Sequence, residues 1–346
     1  MRISRAILHK AVEMEIIKEQ QVDALFEFIK NQPDQKSNFN LNNLFYYIGG
    51  FLAIGAMSLF MNLSWAEFGG WGIFVLAVLY AAIGLGLAEK FQKKFMDIPA
   101  SICAAFVVCL APIAIYAVQL ALGSWPENPH HHDYYFLIKL NWLYIELGTV
   151  IFGSILGLKY RYAIMLLPIT LALWYLSMDI AAFFIDGPPD FAISATTSLF
   201  FGLTITALAF WVDIRSKSTI DYAFWLYLSG VIIFWGGMTA LDKNGEFSKF
   251  LYLCTNLLMM AIGVILARKV FDILGAIGSS LYLAHLTSQV FQDSVLFPIA
   301  LTVIGLIVIY LGTLWQKNAA LITKEAQSIL PKSIQDLLQS RLMIQD

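Results

Sequence analysis

The chain has 346 residues, of which 59% are hydrophobic and 13% are charged, and its formal net charge at pH 7 is −2. A soluble globular domain carries about 25% charged residues, so the composition excludes that class and favours an all-α, polytopic helical membrane protein. The small net charge excludes nothing further, because the placement of charges carries the information in a membrane protein.

Residues 1–40 are polar and are predicted to form a cytoplasmic helical hairpin followed by a linker. Apolar residues recur at helical spacing in two sets, Ile7, Leu8, Ala11, Val12 and then Val22, Leu25, Phe26, Ile29. A turn near Glu15–Lys18 would separate the two helices. Two interpretations remain open: a solvated helix pair on the membrane surface, or a module formed by residues 1–38 that docks a cytoplasmic protein partner.

Residues 41–316 are predicted to form the transmembrane domain, because apolar runs of about 20 residues are long enough to cross a bilayer as helices. Residues 317–346 form a polar tail with one amphipathic stretch, predicted to be cytoplasmic. The ten apolar runs lie near residues 44–62, 71–88, 98–121, 140–158, 162–184, 191–212, 222–240, 250–267, 272–291 and 295–315.

The basic residues support this count of helices. Ten helices place all but three of the 22 lysine and arginine residues on one side of the membrane. The exceptions are Lys139, Lys243 and Lys249. Basic flanks stay in the cytoplasm, so the pattern predicts ten spans with both termini cytoplasmic.

Parts of the chain recur in the same orientation. The segment AIGLGLAEK at 82–90 returns as AIGVILARK at 261–269, and KKFMDI at 93–98 returns as RKVFDI at 268–273. A weaker match of 149–151 with 302–304 extends the pattern. These matches predict a parallel repeat that relates helices one to three or four with helices seven to nine or ten. The alternative is chance recurrence of the small apolar residues that all transmembrane helices use.

Three ionisable residues lie inside predicted helices, where charges are costly and often functional. Glu146 belongs to helix four, Asp179 to helix five and His285 to helix nine. We hypothesise that they share one outward-facing polar cavity that binds a proton, a cation or a polar substrate. The alternative is that each carboxylate pairs locally or reaches towards the membrane interface.

The outer loop before helix four carries weak candidate metal ligands, His130, His132 and Asp133. Neighbouring residues cannot all point at one ion, so the prediction is no metal. The three cysteines lie inside apolar runs and are too far apart for a metal motif. Nucleotide-binding and hydrolase motifs are missing from the sequence, which therefore predicts no cofactor and no nucleic-acid partner.

The opening of the chain resembles an uncharacterised family of bacterial predicted membrane proteins that carry a domain of unknown function. Counterparts of the family pattern are Glu15–Ile16–Ile17–Lys18–Glu19–Gln20, Gly49–Gly50, Gly55 and Asn62–Leu63–Ser64–Trp65. Glu15 and Lys18 stand where the family has Gly and Ser or Thr. The resemblance implies a helical hairpin before a multipass region, located in a bacterial cytoplasmic membrane. It implies no activity.

Three functions remain open from the sequence. The favoured one is a transporter or channel-like protein for an ion, a small polar solute or a lipid. The second is a membrane-embedded enzyme that acts on a lipid-linked substrate, with Glu146, Asp179 and His285 as its acid and base groups. The third is a structural or regulatory subunit that docks a cytoplasmic partner through residues 1–38.

Overall fold

The computed structural model describes residues 18–22, 41–63, 65–126, 134–183, 191–215, 221–241, 245–266, 268–286, 302 and 306. All regular secondary structure in these residues is helical. The helices are α1 (Leu41–Leu63), α2 (Trp65–Lys93), α3 (Asp97–Ala121), α4 (Tyr134–Tyr160), α5 (Leu166–Phe183), α6 (Phe191–Arg215), α7 (Tyr222–Ala240), α8 (Glu246–Leu266) and α9 (Lys269–His285).

Seven of these helices, α2 to α8, are long and apolar enough to cross a membrane. This confirms the coarse prediction of an all-helical, multipass membrane protein. The first and ninth predicted runs correspond to α1 and α9. The tenth run, 295–315, and the tail, 317–346, lie outside the described residues apart from Thr302 and Leu306.

The predicted N-terminal hairpin also lies mostly outside the described residues. Its described part is a single 3₁₀ turn, Glu19–Gln21, which follows Lys18 in an extended conformation. The backbone N–H of Lys18 donates a hydrogen bond of 3.0 Å to Oε1 of Gln21. The chain therefore leaves an extended conformation at Lys18, where the predicted hairpin turn ends.

Two helix starts differ from the prediction. Helix α2 begins at Trp65 rather than near residue 71, because Gly69 adopts a φ of 59° and joins a short helical turn to the long helix. Helix α4 begins at Tyr134 rather than near residue 140, and Lys139 is inside it. The Lys139 ammonium group donates a hydrogen bond of 2.7 Å to the carbonyl of Ala182 at the end of α5, which explains its place in the helix.

Helices that follow one another pack as pairs: α2 with α3, α4 with α5, α6 with α7, and α8 with α9. Glycines allow the closest approaches. A Cβ at Gly70 would lie 2.6 Å from the carbonyl oxygen of Ala117 on α3, and one at Gly275 would lie 2.6 Å from the carbonyl oxygen of Asn256 on α8. Close backbone approach is a common basis of helix association in membranes.

Polar contacts join the helix ends at both ends of the bundle. The end where α2, α4, α6 and α8 finish is called the basic end here, after the lysines and arginines around it. It is defined by contacts among Glu89, Tyr160, Arg161, Asp213, Asp221, Tyr222 and Arg268. At the opposite end Lys139 contacts Ala182, Gln119 contacts Asn141, and Glu246 contacts His285.

Two neighbouring glycines on α7, Gly236 and Gly237, allow a test of the packing between α6 and α7. A Cβ at Gly237 would lie 2.6 Å from the backbone nitrogen of Leu199 and 2.8 Å from the carbonyl oxygen of Ala195, whereas one at Gly236 meets no atom within 4 Å. We expect Gly237→Ala to lower the free energy of unfolding by about 1–3 kcal/mol. Gly236→Ala is expected to leave it unchanged or raise it by up to about 1 kcal/mol. Thermal unfolding in detergent measures both, and equal effects would contradict this packing.

Candidate functional site

The carboxyl groups of Glu146 on α4 and Asp179 on α5 lie within hydrogen-bonding reach of each other. Glu146 is only 5% exposed, and its Oε2 is buried with no hydrogen-bond partner among the described residues. A hydrogen bond between two carboxyl groups requires a proton on one of them, because two carboxylates at this separation repel each other. The pair therefore lies between α4 and α5 with a buried oxygen, Oε2 of Glu146, that a shared proton would satisfy.

Among the described residues, Lys139 is the cation that faces this pair. It lies on the same face of α4 as Glu146 and two helical turns earlier, about 10 Å along the axis. Its charge acts on Asp179, and its ammonium group donates to the carbonyl of Ala182, one turn beyond Asp179 on α5. Lys139, Asp179 and Glu146 thus form a line of charged and polar groups that leads from the opposite end of the bundle to the buried carboxyl pair.

A second polar contact joins α3 and α4 at the same end. Nε2 of Gln119 donates to the carbonyl of Asn141 at 2.9 Å, and Nδ2 of Asn141 donates to the carbonyl of Ser124 at 2.9 Å. Oε1 of Gln119 is buried without a partner among the described residues. The Trp125 ring packs edge-on against Trp142, with ring centroids 5.9 Å apart. These groups fix the first part of α4 against α3 and so position Glu146.

His285 is placed by another set of helices. It is the last residue of α9, which packs against α8 and α7. Its Nε2 lies 3.5 Å from Oε1 of Glu246 at the start of α8. The structure therefore brings Glu146 and Asp179 together and pairs His285 with Glu246. Whether the three residues serve one site stays a prediction.

The basic end holds a buried ion cluster centred on Arg268, between α8 and α9. Its guanidinium donates to Oδ2 of Asp221 at 2.7 Å and to Oδ1 of Asp213 at 3.0 Å, and its Cζ lies 5.2 Å from the ring centre of Tyr227. Burial disfavours the charge, but the two aspartates outweigh that effect, and the pKa of Arg268 lies above its ordinary value. The guanidinium therefore stays charged and ties three helix ends together.

An apolar groove lies between α1, α2 and α3 near the basic end. Its volume is ≈ 670 Å³. Glycines 49 and 50 on α1 open one wall, and Gly84 on α2 opens another. The groove is separate from the carboxyl pair, because no residue of α4 or α5 lines it.

The described part of the chain has no group of three or more His, Cys, Asp and Glu side chains that could hold a metal ion. The weak candidates His130, His132 and Asp133 lie outside it. A metal site in that loop stays a hypothesis.

Several polar residues of these clusters were not singled out from the sequence. In the sequence, Arg268 belongs to a basic flank, and Asp213 directly follows the apolar run 191–212. A search for acidic residues at helix ends on the same predicted side as Arg268 would have found Asp213 and Asp221. Gln119 and Asn141 are uncharged amides, so selecting the ionisable residues inside predicted helices does not identify them.

Comparison with protein-family models, with curated proteins and with solved structures finds no match to this chain. The resemblance at the N-terminus therefore has no support beyond its own motif. Function has to be inferred from the geometry of the clusters described above.

Proposed function

We propose that this chain is a transporter or channel-like protein that moves an ion or a small polar solute across a bacterial cytoplasmic membrane. The observation that carries the proposal is the buried Glu146 carboxyl group beside Asp179. Ionisable groups at membrane depth are costly to bury, and they commonly mark ion or substrate pathways. Lys139 lies between the pair and the end opposite to the basic end, so these side chains would line an outward-facing pathway.

The proposal includes ten membrane-spanning helices with both termini in the cytoplasm. It is supported by the contacts at the basic end, which group the connections α2–α3, α4–α5, α6–α7 and α8–α9. These are the connections that the basic residues assign to the cytoplasmic side. The tenth helix of the proposal is the apolar run 295–315.

The proposal also includes a parallel repeat of α1–α3 in α7–α9. In both groups the second and third helices pack as a close pair, and the first helix packs against the third. In the sequence, Gly49, Gly55 and Met57 match Gly230, Gly236 and Met238 at the same spacing. The two methionines, on α1 and α7, are both buried. Parallel repeats are known from transporters, so a repeat would agree with the proposed function.

A lipid or another apolar solute is the second candidate, and the groove between α1, α2 and α3 favours it. A Cβ at Gly49 would meet no atom within 4 Å, so a larger side chain there projects into open space. If lipid is handled in this groove, Gly49→Trp should block movement of fluorescent lipid between leaflets in proteoliposomes. Unchanged lipid movement in a folded Gly49→Trp variant would contradict this candidate.

The main proposal is tested by flux in proteoliposomes loaded with ions and small solutes in turn. We expect Glu146→Gln and Asp179→Asn to lose the flux that the wild type shows, because each removes one carboxyl group of the pair and leaves the side-chain volume unchanged. Glu89→Gln is the matched control, since Glu89 is a half-exposed glutamate at the basic end of α2.

Folding must be checked separately for each variant, by size-exclusion chromatography and thermal unfolding in detergent. A folded Glu146→Gln protein with the same flux as the wild type would overturn the proposal. Loss of flux in Glu89→Gln to the same extent would also count against it, because the effect would then not depend on the carboxyl pair.

A further inference from the structure

Building on the proposed function, we propose that the Glu146–Asp179 pair is a binding site for a single proton, and that H⁺ is the ion handled there. The basis is the juxtaposition of two carboxyl groups from neighbouring helices around one buried, unpartnered oxygen, Oε2 of Glu146. Protonation and release change only the bond between the proton and a carboxylate oxygen, so no other reactant is needed.

The net charge of Glu146, Asp179 and Lys139 depends on the proton. With one proton on the pair, one carboxylate remains, and its negative charge is balanced by the ammonium group of Lys139. The three side chains are then neutral as a set. Without the proton they carry one net negative charge at membrane depth, which lipid does not solvate. One bound proton is therefore the charge state that burial favours.

Few other charged side chains face the pair. Within the described residues, Glu146 is acted on by Asp179, and Asp179 is acted on by Glu146 and Lys139. Helix α3 also packs against α4, and α6 and α7 pack against α5. The charged residues of α3 and α6, which are Asp97, Asp213 and Arg215, lie at the basic end, and α7 has none. No described cation other than Lys139 faces the pair, and Lys139 cannot replace the shared proton because it is held by the carbonyl of Ala182.

The pair offers fewer oxygen ligands than a metal cation usually takes. Hard cations take about six to eight oxygen ligands, or keep several waters in place of some of them. The pair supplies two carboxyl groups, and the described residues contain no larger cluster of metal-binding side chains. A proton needs only the two carboxyl oxygens that are present.

Infrared difference spectroscopy tests the inference on the purified full chain in liposomes, with pH steps between about 5 and about 10. The probe is the proton alone, so no solute has to be known. We expect the wild type to show a C=O band of a protonated carboxyl group near neutral pH that disappears at alkaline pH. Glu146→Gln should lose this band. Asp179→Asn should shift it, because the hydrogen-bond partner of Glu146 changes.

The control is Asp272→Asn, because Oδ1 of Asp272 is the other buried carboxyl oxygen without a partner among the described residues. A band that persists in Glu146→Gln, or that is lost in Asp272→Asn alone, overturns the inference. So does a wild type that has no such band, and this result does not depend on the folding of any variant.

The infrared spectra test the proton site and the flux assay tests transport, so either one can give a negative result without the other. If the band behaves as expected but no solute or ion moves, the proton site stands and the transport function is wrong. If a solute moves with no dependence on an imposed pH gradient and no band is found, transport stands and the proton site is wrong.

Discussion

Replacing Arg268 with methionine is expected to lower the free energy of unfolding by about 3–5 kcal/mol, the usual cost of removing one partner of a buried ion pair. The Arg268 side chain is 8% exposed and that of Asp213 is 6% exposed. The substitution removes the cation that faces Asp213 and also removes two hydrogen bonds to Asp221. The cost is large because the Asp213 carboxylate loses its guanidinium partner at a position that water hardly reaches, whereas Asp221 is 53% exposed.

Thermal and denaturant unfolding in detergent measure this effect, with Lys159→Met as the control. Lys159 and Glu89 also form an ion pair at the basic end, but their side chains are 61% and 53% exposed. Such a surface pair is worth about 0–1 kcal/mol. The double variant Arg268→Met with Asp213→Asn should recover part of the loss, because it buries no unpaired charge. Equal effects of Arg268→Met and Lys159→Met would contradict the prediction.

The bundle could be predicted from the sequence because lipid leaves few options to an apolar run of bilayer length. Backbone groups in lipid must be satisfied within the segment, so each such run forms a helix. The start of α4 could not be predicted in this way. Lys139 is held within the helix by a carbonyl of another helix, and that partner is visible only after folding.

The short connection at Lys159–Arg161 predicts that Glu146 and Asp179 lie on neighbouring helices, because helices joined by a tight turn usually pack together. The pairing of His285 with Glu246 had no such signal. Glu246 belongs to the first turn of α8, and it reaches His285 only because α9 returns antiparallel to α8. Contacts between helix ends depend on helix lengths and crossing geometry, which hydropathy does not encode.

The two ends of the bundle use charge in different ways. At the basic end, Arg268 has two carboxylate partners and ties the ends of α6, α7 and α8 together. The carboxyl pair has the same ratio of two acids to one cation, Lys139, but its two acids also face each other. Arg268 bridges its two carboxylates and so stabilises one arrangement of helices, whereas two carboxyl groups that face each other need a shared proton.

Replacing Asn256 with alanine is expected to lower the free energy of unfolding by about 3 kcal/mol, from lost hydrogen bonds and a new cavity. Asn256 is fully buried on α8. Its Oδ1 accepts a hydrogen bond of 3.1 Å from Nε1 of Trp235 on α7, and its Nδ2 donates to the carbonyl of Tyr252 at 2.8 Å. A Cβ at Gly278 on α9 would overlap the Asn256 side chain, so the amide fills the space that this glycine leaves.

The matched control is Thr255→Val on the same turn of α8. The Thr255 hydroxyl donates only to the carbonyl of Leu251 on its own helix, so its loss should change the free energy by no more than about 0.5 kcal/mol. Trp235→Phe should weaken the protein less after Asn256→Ala than before it, because the two residues share one hydrogen bond. Strict additivity of these two substitutions would show that Asn256 does not join α7 to α8, and the role of Gly278 would then be packing alone.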